Sequence, residues 1–396
     1  DLSTFEIFPW RPQQGKVARL ICNVNDFNDN PFHGDPRQIL IREIGKAKEM
    51  GYTTHVFAWA AQDVGEKAAD FFYPISIVEK EEILEKCRQI GICGICSIAS
   101  DVAVVTVNYV AEMLGLNGNL ISSTGKCTNK HLMRKAFEEN GDPSPKSILI
   151  SQDTLLDNLD ITYPVIVKPT DRSGSRGIYK LESSEGLADA VKKAMSEGFE
   201  KKALVEEFVE GQEYSVEHIS FNGKHVFLAL TLKYTTGAPH FIETGHMEPA
   251  PVDDRLLAQI KKTVGHALDS LEIKNGASHA EIKVKDDGTI NIIEIGARMG
   301  GDCIGSELVR YSTGYDFVKM VIQVACGNQP DFKKVCAPTA VESKYIFNDL
   351  DLEEFNDIMK YEPERILQVS DFHLENIGHI TDSSNRAGCY IRKFKC

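Results

Sequence analysis

No stretch of this 396-residue chain is apolar over the roughly 18–20 residues that a membrane-spanning helix needs, so no transmembrane segment and no membrane partner are expected. Basic side chains are in deficit: 44 Lys and Arg stand against 58 Asp and Glu, a net charge of −14. That balance argues against nucleic acid or an anionic membrane as the main partner, while leaving room for a local basic pocket. The opening residues, Asp1-Leu2-Ser3-Thr4-Phe5, have neither the basic nor the apolar region of a secretory leader, and no initiator Met, as in a processed or trimmed chain. Internal repeats and low-complexity tracts are missing. The ten cysteines are too scattered for a disulfide framework in a chain of this size and read as reduced thiols of a cytoplasmic protein. Cys93-Gly94-Ile95-Cys96 has no second CxxC to complete a metal site, and its apolar surroundings favour buried thiols over redox or metal chemistry. What remains is ordinary globular composition, 42% hydrophobic and 26% charged, enough for roughly two to four domains or subdomains.

Residues 38–127 alternate between helix and strand patterns. Arg42 to Met50 reads as a helix stopped by Gly51, and Thr54 to Trp59 as a strand. Glu79 to Ile90 (helix), Ile92 to Ile98 (strand) and Val102 to Leu114 (helix) follow. This alternation implies a parallel sheet with helices on its faces. A cap at Thr128-Asn129 opens a helix from Lys130 to Glu139, ended by Gly141-Asp142-Pro143. Strands at Ser147 to Ser151 and Pro164 to Lys168, a Gly/Ser loop from Asp171 to Gly177 and a helix from Glu185 to Glu197 come next. Ala203 to Arg298 is strand-rich around a helix from Asp254 to Leu271, and the tail is β-rich. The class is α+β rather than one doubly wound sheet.

A pair of carboxylates is the sharpest chemical signal. Two strand-like runs, His279 to Asp286 and Thr289 to Glu294, flank Asp287-Gly288, a preferred two-residue hairpin turn. That turn places Glu281 opposite Glu294 on one face, with Cβ atoms roughly 4.5–5.5 Å apart. Like charges so placed destabilise a hairpin unless compensated, and a hard divalent cation shared with ligand phosphates is the usual compensation. The competing readings are two solvated glutamates or a salt bridge to Arg298, and a one-residue slip removes the pairing.

Three weaker signals accompany it. Lys168 ends a buried strand just before Arg172-Ser173-Gly174-Ser175-Arg176-Gly177, whose backbone N–H groups could form a nest for phosphate oxygens. Glu206-Glu207-Phe208-Val209-Glu210-Gly211-Gln212-Glu213 is an acidic crossing segment whose backbone could read an adenine edge and whose carboxylates could accept ribose hydroxyls. Glu243 and His246 lie three residues apart in a loop. Taken singly, each reads more readily as a turn or a structural histidine. In this order they compose one ATP–metal site.

Together these strings, with Asn129-Lys130 and Glu294-Ile295-Gly296-Ala297-Arg298-Met299-Gly300-Gly301, resemble the ATP-grasp superfamily over roughly residues 52–330 and, more loosely, the tail. Glu-Ile-Gly-Ala-Arg and the Glu243/His246 pair look most like the L-amino-acid ligase group, typified by the bacilysin dipeptide synthetase. The resemblance implies an ATP-grasp fold with an amino-terminal Rossmann-like α/β domain and a small β-rich carboxy-terminal subdomain. It implies Lys130 and Lys168 on the ATP phosphates, with Ser173, Gly174, Ser175 and Gly177 closing over them. Adenine falls to Glu206 and Val209 through the segment that includes Glu207 and Phe208, and ribose to Glu213. Glu281 and Glu294 take magnesium, with manganese as a substitute. Arg298 stabilises the acyl phosphate and the tetrahedral intermediate. Lys168 shares the catalytic work, and Glu243 and His246 line the amino-acid pocket. Many superfamily members carry Asn where Gly296 stands, so one metal ligand is expected from elsewhere.

The implied activity is ATP-dependent amide formation between small carboxylate and amine substrates, L-amino acids first among them, through an acyl phosphate. A carbamoyl-phosphate-synthetase-like or carboxylase-like enzyme and a silent ATP-binding protein are the alternatives. Homodimers are frequent in the group.

Residues 1–51 depart from this pattern. Phe8-Pro9-Trp10-Arg11-Pro12, Gly15 to Cys22 and Pro31 to Arg37 resemble the amino-terminal region of glutamine synthetase, as in a chimera. The expected organisation is an extension at 1–37, the α/β domain at 38–127, ATP-grasp subdomains at 128–200 and 201–328, and the tail at 329–396. Within the extension, Val17 to Val24 and Pro36 to Met50 have the patterns of a substitute strand and helix. The group usually continues with a helix past Cys396, so a truncated carboxy terminus is expected.

Overall fold

The computed structural model describes residues 16–20, 36–60, 64–157, 159–172, 176–237, 241–380 and 386–394, with the backbone alone at 16–20, 36–41 and 64. The first sheet holds β1 (Lys16–Leu20), β2 (Thr53–Phe57), β3 (Phe71–Tyr73) and β4 (Ile95–Cys96) in the order β3-β2-β1-β4, all parallel. Parallel pairing follows from the helical crossovers that the alternation predicts. The segment that resembles glutamine synthetase supplies one of its two inner strands, since β1 pairs with both β2 and β4. A helix begins at Pro36, where a missing N–H costs nothing, and runs to Glu49. It buries Ile44 against Val56 and Ala58, and it is tied to the rest of the chain by an Arg42–Glu307 ion pair and by Lys46 to Asp316 at 3.1 Å. The glutamine-synthetase-like strings before Lys16 and from 31 to 35 lie outside the described residues. The strand expected over 92–98 contracts to two residues, because β1 offers only Ala18 and Arg19 as partners there. Cys93 and Cys96 are buried, and the Cys96 thiol donates to Glu43 Oε1 at 3.4 Å.

The second sheet is antiparallel: β5 (Ser147–Ile150), β6 (Val165–Pro169), β7 (Tyr179–Leu181) and β8 (Ala203–Glu207), in the order β5-β8-β6-β7. The helix Leu187–Glu197 covers it with Leu187, Ala190, Val191 and Ala194, the face that their spacing predicts.

The third sheet has eight antiparallel strands: β9 (Gln212–Phe221), β10 (Lys224–Thr235), β11 (Glu243–Glu248), β12 (Gly276–Val284), β13 (Ile290–Gly296), β14 (Val341–Tyr345), β15 (Ile366–Val369) and β16 (Cys389–Lys393). Their order is β13-β12-β9-β10-β11-β14-β16-β15, so the strands of the tail extend the same sheet. Side chains alternate faces along each strand. Tyr214, Val216, Leu230, Leu232, Ala280 and Ile282 point to one face, under Ile260, Val264 and Leu268 of the helix Asp254–Ser270 and Met133 and Phe137 of the helix Lys130–Asn140. Each buried aliphatic there contributes about 1.5–3 kcal/mol. The intervening positions, Glu213, Ser215, Glu217, Thr231, Lys233, His279 and Glu281, put polar groups on the opposite face. That face turns apolar beyond Glu217 and His279, where Ile219 and Ala277 pack with the helix Phe317–Ala325. One end of the polar face is therefore left for chemistry.

Glu248 marks what that face costs. It is fully buried, accepts from Thr231 Oγ1 at 2.5 Å and from Ser312 Oγ, and burial pushes its carboxyl up to about 7. Its folded pKa lies above the unfolded value, so the folded state keeps its proton while the unfolded state loses it. Stability should then fall between about pH 4.5 and 7 and level off above. Glu248→Gln keeps both hydrogen bonds and removes that titration. The variant should melt higher than the parent at pH 8 and show a flatter profile across this window; equal profiles would refute the assignment.

Candidate active site

The second and third sheets face each other across a cavity. Its wall includes Lys130, Lys168, Arg172, Arg176, Glu206, Glu207, Phe208, Val209, Glu213, Lys233, Glu243, His279, Glu281, Glu294 and Arg298, with Ile166, Ile178 and Ile293 as apolar lining.

Glu281 and Glu294 are direct partners in the β12–β13 ladder, as expected, but the route differs. The turn has three residues rather than two: the Lys285 amide donates to the Thr289 carbonyl, and Gly288 takes a φ of +85°. Three-residue hairpin loops close in this way. From there Val284 pairs with Ile290 and Ile282 with Ile292, a register that would miss the glutamate pair. A bulge between Glu281 and Ile282 absorbs one extra residue, Ile293, and restores it. The Ile293 carbonyl accepts from Arg134 Nη2 at 2.6 Å.

The helix Lys130–Asn140 supplies two cations to this point. Asn129 caps it, its side chain accepting from the amides of His131 and Leu132. Lys130 Nζ reaches Glu294 Oε1 at 2.7 Å and the Arg172 carbonyl at 2.7 Å. Arg134, one turn on and so on the same face, reaches Glu206 Oε1 at 2.9 Å. Glu206 also holds Lys168 Nζ at 2.6 Å. All three members of this trio are buried. Burial alone would raise the Glu206 carboxyl, but Arg134 and Lys168 hold it below the usual range. Burial lowers the Lys168 ammonium despite the pull of Glu206.

This corrects the role expected for Glu206: its carboxylate is consumed in anchoring Lys168 and is not available to adenine. The amides of Glu207 and Phe208 are also taken, donating to the carbonyls of Lys146 at 3.0 Å and Pro164 at 2.9 Å. Glu207, Phe208 and Val209 do line the cavity, and the Phe208 ring carries Lys180 at 4.2 Å and Lys283 at 4.8 Å from its centre. Gly177 is at a φ of +69°, next to Arg176 on the wall. Ser173, Gly174 and Ser175 lie outside the described residues.

His246 is a second correction. Strand pairing sets it opposite Lys233, yet it does not line the cavity. Ser343 Oγ lies 3.2 Å from its Nδ1, Tyr345 packs edge-on at 6.1 Å, and burial pushes it down to about 3, so the ring is neutral. Glu243 does face the cavity, with burial raising its carboxyl and Lys233 drawing it back.

Arg298 lies on the wall, gripped by Asp101 through two parallel bonds, Nε to Oδ1 at 3.0 Å and Nη2 to Oδ2 at 3.1 Å. Asp101 starts the helix Asp101–Met113 of the first sheet's layer, after the Ser100 cap. Gly296 makes this grip possible: a Cβ there would stand 2.8 Å from Asp101 Oδ1 and 3.1 Å from Arg298 Nε. The ion pair occupies the volume that an Asn side chain would need. Asp101→Asn removes the charge that opposes Arg298 and should lower stability by roughly 1.5–3 kcal/mol, read as a lower denaturant midpoint. An unchanged midpoint would show that the grip does not hold Arg298.

Pattern reading missed four groups on this wall or beside it. Arg134 was signalled by its place one turn after Lys130. His279 was signalled by its place two residues before Glu281 on the same strand face. Lys233 ends the largely apolar run Phe227 to Leu232, itself a signal. Asp101 carried none, because its partner is 197 residues away. His279 lies beside Glu217 Oε1 and 3.6 Å from Glu281 Oε1. Burial would lower its pKa, but Glu217 raises it to about 9, so the ring is charged at neutral pH.

Among the described residues no three His, Cys, Asp or Glu side chains converge as a metal cage. Glu281 and Glu294 supply two partly exposed carboxylates side by side. That donor set suits magnesium, which binds through one or two carboxylates and takes its other ligands from phosphates and water.

Residues 161–306 match the family model described as ATP-grasp domain. Alanine–anticapsin ligase of Bacillus amyloliquefaciens is 28% identical over 313 residues, which cover 69% of this chain and 65% of that protein. The chain thus spans slightly under two thirds of that relative's length. Glutamine synthetase of Clostridium saccharobutylicum is 61% identical over only 56 residues, 14% of this chain and 13% of that protein, which fits the resemblance seen in residues 1–51. Among solved structures, an L-amino acid ligase from Bacillus licheniformis superposes with a TM-score of 0.77 at 23% identity, covering 97% of this chain and 94% of that one, which shows a shared fold. Residues 161–306 thus match an ATP-grasp domain, within an ATP-grasp fold whose amino-terminal sheet is completed by a segment that resembles glutamine synthetase.

Proposed function

We propose that the chain is an ATP-dependent carboxylate–amine ligase that joins small substrates, L-amino acids among them, and releases ADP and phosphate. The observation that carries this reading is the glutamate pair on the cavity wall, ringed by Lys130, Lys168 and Arg298. Lys130 and Lys168 meet the phosphate oxygens as fixed point charges, Lys168 being held in place by Glu206. Val209 and Phe208 flank the adenine, and Glu213 accepts from the ribose. Glu281 and Glu294 hold magnesium, which when bound neutralises charge on the transferring phosphoryl group. The substrate carboxylate attacks the γ-phosphorus, giving an acyl phosphate and ADP. The amine then attacks the acyl carbon, and phosphate leaves with the carbon–oxygen bond electrons. Arg298 is placed to balance charge on the acyl phosphate oxygens, and Glu243 to receive an amino group. A reduced, cytoplasmic setting and a homodimer belong to the same reading.

Its test is ADP release from magnesium-ATP with pooled L-amino acids, with and without hydroxylamine. ADP together with a hydroxamate is expected. ATP bound, with no ADP released for any pool, would overturn the ligase reading in favour of a silent nucleotide-binding protein.

A further inference from the structure

The substrate end of the cavity is fastened from behind by a side chain of the tail. Arg386 lies just before β16 and is 3% exposed. Its Nη1 donates to the Glu243 carbonyl at 3.2 Å, and Nη1 and Nη2 together grip the Asp302 carboxylate at 3.2 Å and 2.7 Å. The guanidinium lies 3.6 Å from the centre of the Tyr345 ring, and Tyr345 Oη donates to the Asp302 carbonyl at 3.4 Å. Neither Arg386 nor Asp302 lines the cavity, but what they hold does. Glu243 opens β11 and faces the cavity. Asp302 follows Arg298 by four residues, in a loop where Asp302 and Cys303 take φ of +50° and +63°. Two successive non-glycine residues in the left-handed region are strained and persist only where surrounding contacts hold them. A single guanidinium thus ties the strand that begins with Glu243 to the loop that carries Arg298.

We propose that Arg386 sets the span between Glu243 and Arg298, and through that span selects α-amino acids over their β-homologues as the carboxylate substrate. The inference rests on the ligase reading above, with the amino group at Glu243 taken as the carboxylate substrate's own and Arg298 on its acyl phosphate. Both ends of the span then engage one molecule. In an α-amino acid a single carbon separates the amine from the carboxyl group, and a β-homologue adds a methylene. A fixed span suits one of the two with both ends engaged. A misplacement of about 1 Å at the reacting centre costs on the order of a hundredfold in rate. The bond to the Glu243 carbonyl fixes where β11 starts, and the two bonds to Asp302 fix the loop beyond Arg298. A planar guanidinium can make all three at once, which an ammonium on a flexible stem cannot do in one fixed geometry. Arg386 touches no substrate and is a positioning residue.

The test is hydroxamate formation from magnesium-ATP and hydroxylamine with two pools, the L-α-amino acids and their β-homologues. The parent should favour the α pool by roughly a hundredfold. The double variant Arg386→Met/Asp302→Asn removes both charges together, so no buried charge is left unpaired. It should bring that preference to about tenfold or less while KM for ATP stays near the parent's. Arg386→Lys keeps the charge without the fork and should show the same loss. Arg392→Met is the comparison: it breaks another buried arginine of β16, paired with Glu342 and Glu354 at 2.6 Å each and away from the cavity, and should keep the parental preference. Thermal melts establish that each variant is folded, and Arg386→Lys carries the test if the double variant is not. Parental preference in folded Arg386 variants would overturn the proposal. So would an equal loss in Arg392→Met, which would mark general loosening of the tail, and so would a parent that uses both pools alike. A parent that forms no hydroxamate from either pool would instead overturn the ligase reading, and this proposal with it.

Discussion

Glu294→Gln should lower magnesium-dependent ADP release by roughly 10²–10³-fold and leave the fold intact. The amide keeps an oxygen for Lys130, which now lies 2.7 Å from the carboxylate, but it loses the charge that a hard cation requires. Alanine is the poorer test at this position. Lys130 is buried, and an uncompensated buried ammonium would confuse lost metal with lost stability. Activity should be recovered in part by raising magnesium, and the melting temperature should stay near that of the parent. A variant with ordinary activity and an ordinary magnesium requirement would remove Glu294 from the metal site.

The second large effect is on stability. Glu206→Gln should destabilise the fold by about 3–5 kcal/mol, read as a lower denaturant midpoint. Glu206 is the carboxylate between two buried cations, Arg134 at 2.9 Å and Lys168 at 2.6 Å. Removing its charge leaves both in a low-dielectric interior. Lys168 has an escape that Arg134 lacks: it can lose its proton. Its ammonium is already lowered by burial, and Glu206 is the first group opposing that effect. In the variant Lys168 should therefore discharge at lower pH than in the parent, and KM for ATP should rise as pH increases. A stability change within about 0.5 kcal/mol would show that the trio is not a structural unit.

The two variants separate roles that the sequence reading merged. Glu206 and Glu294 both read as site carboxylates, but Glu294 is partly exposed to the cavity and Glu206 is enclosed. Strand parity cannot show this difference, because exposure depends on what packs over the strand. His246 fails for the same reason. Its strand position is on the polar face, but Ser343 and Tyr345 of a strand almost one hundred residues later cover it.

The glutamate pair was legible for a reason that was only half right. An Asp-Gly between two alternating runs signals a hairpin, and a hairpin brings its flanks together. The actual loop is one residue longer, and the bulge at Ile293 repays the slip. A bulge leaves no mark in local pattern, since it is selected by what it re-aims, here a carbonyl toward Arg134 and a carboxylate toward the cavity.

By itself the sequence determined the elements and the polarity of their faces. Period-two alternation in β9, β10 and β12 set an apolar side for the helix Asp254–Ser270 and a charged side for the cavity. The helix Lys130–Asn140 was readable from its Asn cap and glycine stop. The run Val165 to Lys168 announced a buried strand with a charge at its end. Only the tertiary structure decided which charges meet. Asp101 and Arg298, and Arg134 and Glu206, are joined across long stretches of chain, and Lys233 meets carboxylates from three other strands. It also decided that residues 16–20, whose sequence looks toward another family, form an inner strand of the first sheet. The physical reason is common to all of these. Local pattern is set by each residue's own backbone geometry and its nearest neighbours, whereas the pairing of buried charges is settled by desolvation. Each ion removed from water must find an opposite one within a few ångströms, wherever along the chain that partner lies.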